Sequence, residues 1–248
     1  MNNWRGQNAA NFGILPNSTT LTAALKPRPA AVSLFDSARF TMSVADLSGL
    51  PPETLPEIAF AGRSNSGKST TINVLTRQTR LAFSSKTPGR TQLLNFFELS
   101  KKNDEGVRVP VGTLVDLPGY GFARAAPDAR ATWDALVGGY VASRSALEGI
   151  VIVMDARRPF MPGDEGLIEF LSHREVKLHF LLNKSDQLKT MEKRAALKLA
   201  QTRAAAIGPQ VSAQLFSGLK RDGVDELRAV LLAWLKIEET APPVSSKK

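Results

Sequence analysis

Apolar runs recur along the chain, most of them ending on a small or acidic residue. Ile58-Ala59-Phe60-Ala61 is continuous and stops at Gly62, and Thr71-Ile72-Asn73-Val74-Leu75 follows a polar turn, which predicts strand, turn and helix. Gln92 to Leu99 reads as a strand, and the turn-like stretch Lys101 to Gly106 leads into a second at Val109 to Val115. These two predict an antiparallel edge pair beside an otherwise parallel sheet. Asp128 to Arg144 carries Trp133, Leu136, Val137, Tyr140 and Val141 at the core spacing of a helix. Gly149 to Asp155 is apolar throughout and β-branched, which suits a central parallel strand covered on both faces. A helix at 162–173, a strand at 176–182, a helix at 188–207 and a strand at 211–216 continue the alternation. An amphipathic helix at 223–235, with Val224, Leu227, Val230, Leu231 and Trp234 inward, closes it. The predicted class is α/β: three layers, a mostly parallel sheet with one antiparallel edge strand, and helices on both faces.

The ends lack this pattern. Residues 1–30 are rich in Asn, Thr, Ala and Pro without periodicity and read as a disordered tail, as do the polar residues 239–248. A single domain is expected over 31–238. Within it, Val32, Leu34, Phe35, Phe40, Met42 and Val44 alternate in part, as an edge strand or packing arm would.

Composition narrows the chemistry. With 248 residues, 43% of them hydrophobic and 22% charged, the chain can bury a sizeable core. It has no cysteine, which excludes a disulfide framework or a thiolate metal site. No apolar run is long enough to span a membrane, so no membrane partner is expected. The net charge of +9 favours a polyanionic partner over small-molecule chemistry alone, although charge also serves solubility. His173 and His179 are the only histidines, and both are expected to be structural.

Four segments carry candidate chemistry. Gly62-Arg63-Ser64-Asn65-Ser66-Gly67-Lys68-Ser69-Thr70 has the spacing G-x-x-x-x-G-K-S between strand and helix. Such a turn passes close to a polyphosphate and points backbone N–H groups inward, with the helix N-terminus adding partial positive charge. Lys68 then reaches the β and γ phosphates, and the Ser69 hydroxyl is placed for Mg2+. Asp116-Leu117-Pro118-Gly119 ends a buried strand where ligands sit in open α/β sheets. Asp116 is a candidate to hold Mg2+ through water, and Gly119 to give its N–H to a γ phosphate. Asn183-Lys184-Ser185-Asp186 ends a later strand. Asp186 can accept from N1–H and the 2-amino group of guanine, a donor pair that adenine lacks, at about 1.5–3 kcal/mol per charge-assisted bond. Asn183 would tie the loop to its neighbours, and the Lys184 stem would cover the base. Ser217-Gly218, after Phe216, can bring backbone N–H groups to guanine O6. A kinase-like ATP enzyme would satisfy the phosphate turn alone; Asp186 favours guanine.

The order of these segments resembles translation-factor and Ras-like GTPases. The spellings Gly-Arg-Ser-Asn-Ser-Gly-Lys-Ser-Thr, Lys86-Thr87-Pro88-Gly89-Arg90-Thr91-Gln92 and Asp116-Leu-Pro-Gly-Tyr-Gly-Phe-Ala resemble the EngB (YihA/YsxC) family of bacterial GTP-binding proteins, over residues 35 to 237. The resemblance implies a P-loop GTPase fold, with GTP or GDP and Mg2+ as ligands. It assigns Ser69 and Thr91 to the metal, with Asp116 through water. Residues 62–69, Gly89, Arg90, Thr91, Gln92, Leu93 and 116–119 fall to the phosphates, and 183–186 with Phe216, Ser217 and Gly218 to guanine. It further implies cytoplasmic action in large ribosomal subunit assembly, as a monomer on a precursor of rRNA and proteins, and a need in cell division and septation.

Lys68, Thr91, Gly119 and Asn65 are the residues expected at the reacting phosphate, with Asn65 where K+-activated relatives ligate a monovalent cation. Ras-type enzymes orient water with a Gln just after the Asp-x-x-Gly segment; Tyr120 stands there, which predicts slow intrinsic hydrolysis completed by a partner. GTP is expected to order residues 84–92 and 119–126. Lys189, Lys193, Arg194, Lys198 and Arg203, exposed along the helix at 188–207, form a solvated face or meet nucleic acid. A binding module with only structural nucleotide is the competing class.

Overall fold

Seven strands form one sheet, in the order β1-β3-β4-β2-β5-β6-β7. The computed structural model of the chain describes residues 33–83, 93–120, 127–172 and 174–238, without the side chains of 127–130. The strands are β1 (Arg39–Val44), β2 (Glu57–Gly62), β3 (Leu94–Lys102), β4 (Arg108–Asp116), β5 (Leu147–Asp155), β6 (Lys177–Asn183) and β7 (Val211–Leu215). The helices are α1 (Lys68–Leu75), α2 (Pro127–Ser143), α3 (Pro162–Ser172), α4 (Thr190–Ile207) and α5 (Val224–Leu235). The tails expected at 1–30 and 239–248 lie outside the described residues, as does His173.

Strands β4, β2, β5, β6 and β7 are mutually parallel. The expected antiparallel β3–β4 pair is present. β1 adds outside it, antiparallel to β3, so the one reversed strand stands a place in from the edge. The pattern over 31–48 thus resolves into both of its expected forms. Phe35, in the short 3-10 turn Leu34–Ser37, is the buried packing arm, and residues 39–44 are the edge strand.

Alternation along β2 divides the core. Ile58 and Phe60 face a layer containing Ile72 and Leu75 of α1 and Leu227, Leu231 and Trp234 of α5. Ala59 and Ala61 face a layer with Val137 and Tyr140 of α2, Leu167 and Leu171 of α3, and Ala200 and Ala204 of α4. Successive residues of a strand point to opposite faces, so a continuous apolar run feeds both layers. In β5, Ile150 and Ile152 take one face while Val151 and Val153 take the other.

A buried ionic knot fixes the end of the sheet where β2 begins. Arg144 Nε lies 3.0 and 3.1 Å from the two carboxylate oxygens of Glu57, and the Tyr140 hydroxyl donates to the same carboxylate at 2.8 Å. Arg144 also donates to the Pro51 carbonyl at 2.8 Å. The C-terminal end of α2 is thereby anchored to the start of the strand that delivers the glycine turn.

Candidate functional site

The opposite, C-terminal end of the parallel strands gathers the predicted segments, because every parallel strand delivers its following loop to the same edge. Phe60 stands in register with Asp116, Gly62 with Val153 and Asp155 with Asn183. The turn after Gly62 is zipped to the Asp116 segment: Ser64 N–H donates to the Tyr120 carbonyl at 3.1 Å and Tyr120 N–H to the Gly62 carbonyl at 3.3 Å.

The turn has the shape of an anion cradle. Asn65 and Gly67 have positive φ, 65° and 95°. Only a residue without Cβ fits at Gly67, where an added Cβ would lie 2.2 Å from Asn183 Nδ2. Gly67 opens α1 without any side-chain cap, so the first N–H groups of the helix remain directed at the turn. Ser66 Oγ is buried without a hydrogen-bond partner among the described residues, packed where a Cβ added at Gly62 would lie 2.7 Å from it. Lys68 Nζ donates to the buried Asp116 carboxylate. Ser69 is buried beside it in sequence, and a hydroxyl with a carboxylate is the oxygen-only donor set that suits a hard cation such as Mg2+.

At the other end of the site, Asn183 acts as a clasp. Its Nδ2 donates to the Ser66 carbonyl at 2.9 Å, while its Oδ1 accepts from Lys184 N–H at 2.7 Å and Gly218 N–H at 3.2 Å. Lys184, at φ 63°, sends its ammonium to the Asn65 carbonyl at 2.6 Å and to Asp155 at 3.0 Å. Burial pushes the Asp155 carboxyl up, but the bonded Arg157 guanidinium and Lys184 ammonium outweigh it and hold the group well below the usual carboxylate range. Ser217 Oγ donates to Asp186, and Ser185 N–H to the Phe216 carbonyl at 3.0 Å, so the Asn183 and Ser217 loops form one wall. Gly218 packs tightly there, since a Cβ would meet Thr70 Cγ2 at 2.8 Å.

The predicted residues thus converge from Gly62 to Thr70, Asp116 to Gly119, Asn183 to Asp186 and Phe216 to Gly218. Leu93 is described at the approach to β3; Gly89, Arg90, Thr91 and Gln92, with the rest of 84–92 and with 121–126, lie outside the described residues. Asn65 is exposed at the turn. Of the cations expected along 188–207, Lys189 precedes α4 and is exposed, as are Arg194, Lys198 and Arg203, while Lys193 is half-buried, and Arg203 pairs with Glu165.

Three residues at the site were given no role in it from the sequence. Asp155 bears the feature that marked Asp116, an acidic residue closing a buried strand, and could have been found that way. Asp164, which accepts from the Tyr120 hydroxyl at 2.9 Å, lies 44 residues away with no local pattern to announce it. Trp133, expected as packing, packs and also donates from Nε1 to the Pro118 carbonyl at 2.9 Å.

This sheet, with a glycine turn and three further loops meeting at one edge, defines an α/β P-loop GTPase. Residues 57–184 match the family described as "50S ribosome-binding GTPase". A protein of Ralstonia nicotianae named "Probable GTP-binding protein EngB" is 46% identical over 220 residues, covering 86% of this chain and 92% of the relative. Another of that name, from Paraburkholderia xenovorans, is 46% identical over 207 residues, 82% of this chain and 93% of the relative. The chain belongs to the EngB family of GTP-binding proteins. The fold also matches the "Crystal structure of a probable GTP-binding protein engB" at TM-score 0.54 and 23% identity, over 73% of this chain and 98% of that one. Among the described residues, no helix is long and apolar enough to cross a membrane.

Proposed function

We propose that residues 31–238 act as one monomeric G domain that binds GTP and GDP, hydrolyses GTP slowly, and serves as a nucleotide-controlled switch in large ribosomal subunit assembly in the bacterial cytoplasm. The observation that carries the reading is the Asn183 clasp, one carboxamide joining the phosphate turn at Ser66 to the base wall at Gly218. Phosphates lie in the turn of 62–70, and guanine lies against Asp186, Ser217 and Gly218. Lys68 exchanges the Asp116 carboxylate for the β and γ phosphates, and the Gly119 N–H meets the γ phosphate. Ser69 and Thr91 would hold Mg2+, with Asp116 acting through water; the bound ion neutralises phosphate charge. Asn65 would ligate K+ opposite the γ phosphate, and equal turnover in Na+ and K+ would remove that role.

Slow hydrolysis is supported by Tyr120, which occupies the place of the water-orienting Gln yet is 6% exposed and bonded to Asp164. A partner then completes the site, and the rRNA of a large-subunit precursor suits the net charge of +9. The septation role follows from the same cycle. The burial of Tyr120 equally favours a second reading, an RNA-binding module that nucleotide stabilises without physiological turnover. Single-turnover phosphate release with and without large-subunit precursors separates the two: acceleration supports the switch, and no release in either condition supports the module.

Nucleotide identity is tested by displacing fluorescent GDP from the protein with GTP or ATP, and by repeating this for Asp186→Asn with xanthosine nucleotides. Displacement by GTP alone, with the variant turning to xanthine, is expected. Displacement by ATP would overturn the reading.

A further inference from the structure

Gly119 is held from both sides by side chains of other elements. On its N-terminal side, Trp133 of α2 donates from Nε1 to the Pro118 carbonyl at 2.9 Å. That carbonyl and the Gly119 N–H belong to one planar peptide, which is trans, so fixing the oxygen directs the N–H to the opposite side. On its C-terminal side, Tyr120 is fixed three times: its carbonyl accepts from Ser64 N–H, its N–H donates to the Gly62 carbonyl, and its hydroxyl donates to Asp164. Asp164, 1% exposed near the start of α3, uses its other oxygen to accept from Met161 N–H at 2.9 Å, so it cannot turn away. The Tyr120 ring stands edge-on to Trp133 at 5.7 Å and against Gly163, where an added Cβ would lie 3.2 Å away. Gly119 itself lies against the phosphate turn, with its Cβ position 3.5 Å from the Gly62 carbonyl and 3.6 Å from Ser64 N.

We propose that Trp133 and Asp164 are positioning residues that set the Gly119 N–H for the γ phosphate, acting through the Pro118 carbonyl and the Tyr120 hydroxyl. The proposal rests on the reading of Gly119 given above. Asp164 is 1% and Tyr120 6% exposed, so little water competes for this bond, and the same burial pushes the Asp164 carboxyl above its usual range and the phenol well above its own. The bracket serves GTP and leaves GDP untouched, because only GTP presents a γ phosphate. A residue that merely stabilised the fold would affect both nucleotides alike.

Equilibrium binding of GDP and of GTPγS is measured for the intact chain and for Trp133→Phe and Tyr120→Phe, each of which removes one donor and keeps an aromatic ring, with thermal unfolding recorded in parallel. GTPγS affinity is expected to fall about 3- to 10-fold, as one lost hydrogen bond allows, with GDP within about twofold. An equal loss for both nucleotides, a gain for GTPγS, or no change in either variant overturns the proposal. Gly119→Ala keeps the N–H but sets a Cβ beside the phosphate turn, with only ordinary contacts in the fold, where it would crowd a γ phosphate and not GDP; it separates the causes. Selective loss of GTPγS there but not in the two variants overturns the bracket alone, and selective loss in none of the three overturns the γ-phosphate reading with it.

Discussion

Lys184 Nζ lies 3.0 Å from Asp155 Oδ2 and 2.6 Å from the Asn65 carbonyl, so one ammonium joins the end of β5, the loop after β6 and the phosphate turn. The carboxylate holds the lysine stem in the place where it would cover a base, and Arg157 holds the carboxylate in turn.

Asp155→Ala is expected to weaken GDP and GTP alike, by about 3- to 10-fold each, since the contact lies on the side proposed for the base. In a Lys184→Met background the same substitution should add little. Competitive titration of the four proteins of that double-mutant cycle measures the coupling, and full additivity would show that Asp155 does not act through Lys184.

Removing the carboxylate of the ionic knot leaves a guanidinium and a phenol buried without their partner. Glu57 is 3% and Arg144 8% exposed, so both are largely shielded from water, and Arg144 would keep only the Pro51 carbonyl and the Glu53 carboxylate 3.8 Å away. Glu57→Ala should cost about 3–5 kcal/mol in urea unfolding, far more than loss of a surface pair such as Arg39 with Glu98. A loss below about 1 kcal/mol would mean that water enters and solvates Arg144.

His179 gives stability a pH dependence. It is buried between Ser212 at 2.7 Å and Gln214 at 3.0 Å, and burial lowers its pKa from 6.5 to about 4. The unfolded chain therefore takes up a proton on this group first as pH falls. Its contribution is complete above pH 6.5 and is lost progressively down to about pH 4. Between pH 7 and pH 5 this amounts to about 2 kcal/mol. Chemical denaturation at the two pH values, for the intact chain and His179→Gln, reads it: the substitution should remove that share of the dependence.

Gly67→Ala places a Cβ 2.2 Å from Asn183 Nδ2 at a backbone φ of 95°. Either the turn or the clasp must give way. We expect about 1–3 kcal/mol of destabilisation together with loss of nucleotide binding, followed by thermal unfolding and GDP titration. Retention of full GDP affinity would show that the turn tolerates a side chain.

Much of the site was readable because its chemistry is local. A glycine turn, an acidic strand end and an Asn-Lys-x-Asp loop each need particular residues at adjacent positions, so their spelling carries their geometry. The residues that hold them were harder to find: Asp164 and Trp133 matter through contacts made across 44 and 15 residues of chain. Asp155 was legible in kind, as a carboxylate closing an apolar strand, yet its partner Lys184 is chosen by the register of β5 on β6. The reversed strand was legible in β3, whereas its distance from the edge depended on where residues 39–44 pair.

By itself, the sequence determined the strands, the helices and the four loops proposed to carry chemistry, because periodicity and turn composition act within a few residues. Only the tertiary structure decided which carbonyl each donor meets: that Asn183 clasps Ser66 to Gly218, that Glu57 neutralises Arg144, and that Tyr120 turns its hydroxyl to Asp164. The reason is physical. Local preference depends on neighbours along the chain, but a buried polar group takes whichever partner the packed layers bring within reach, and that follows from strand order and register.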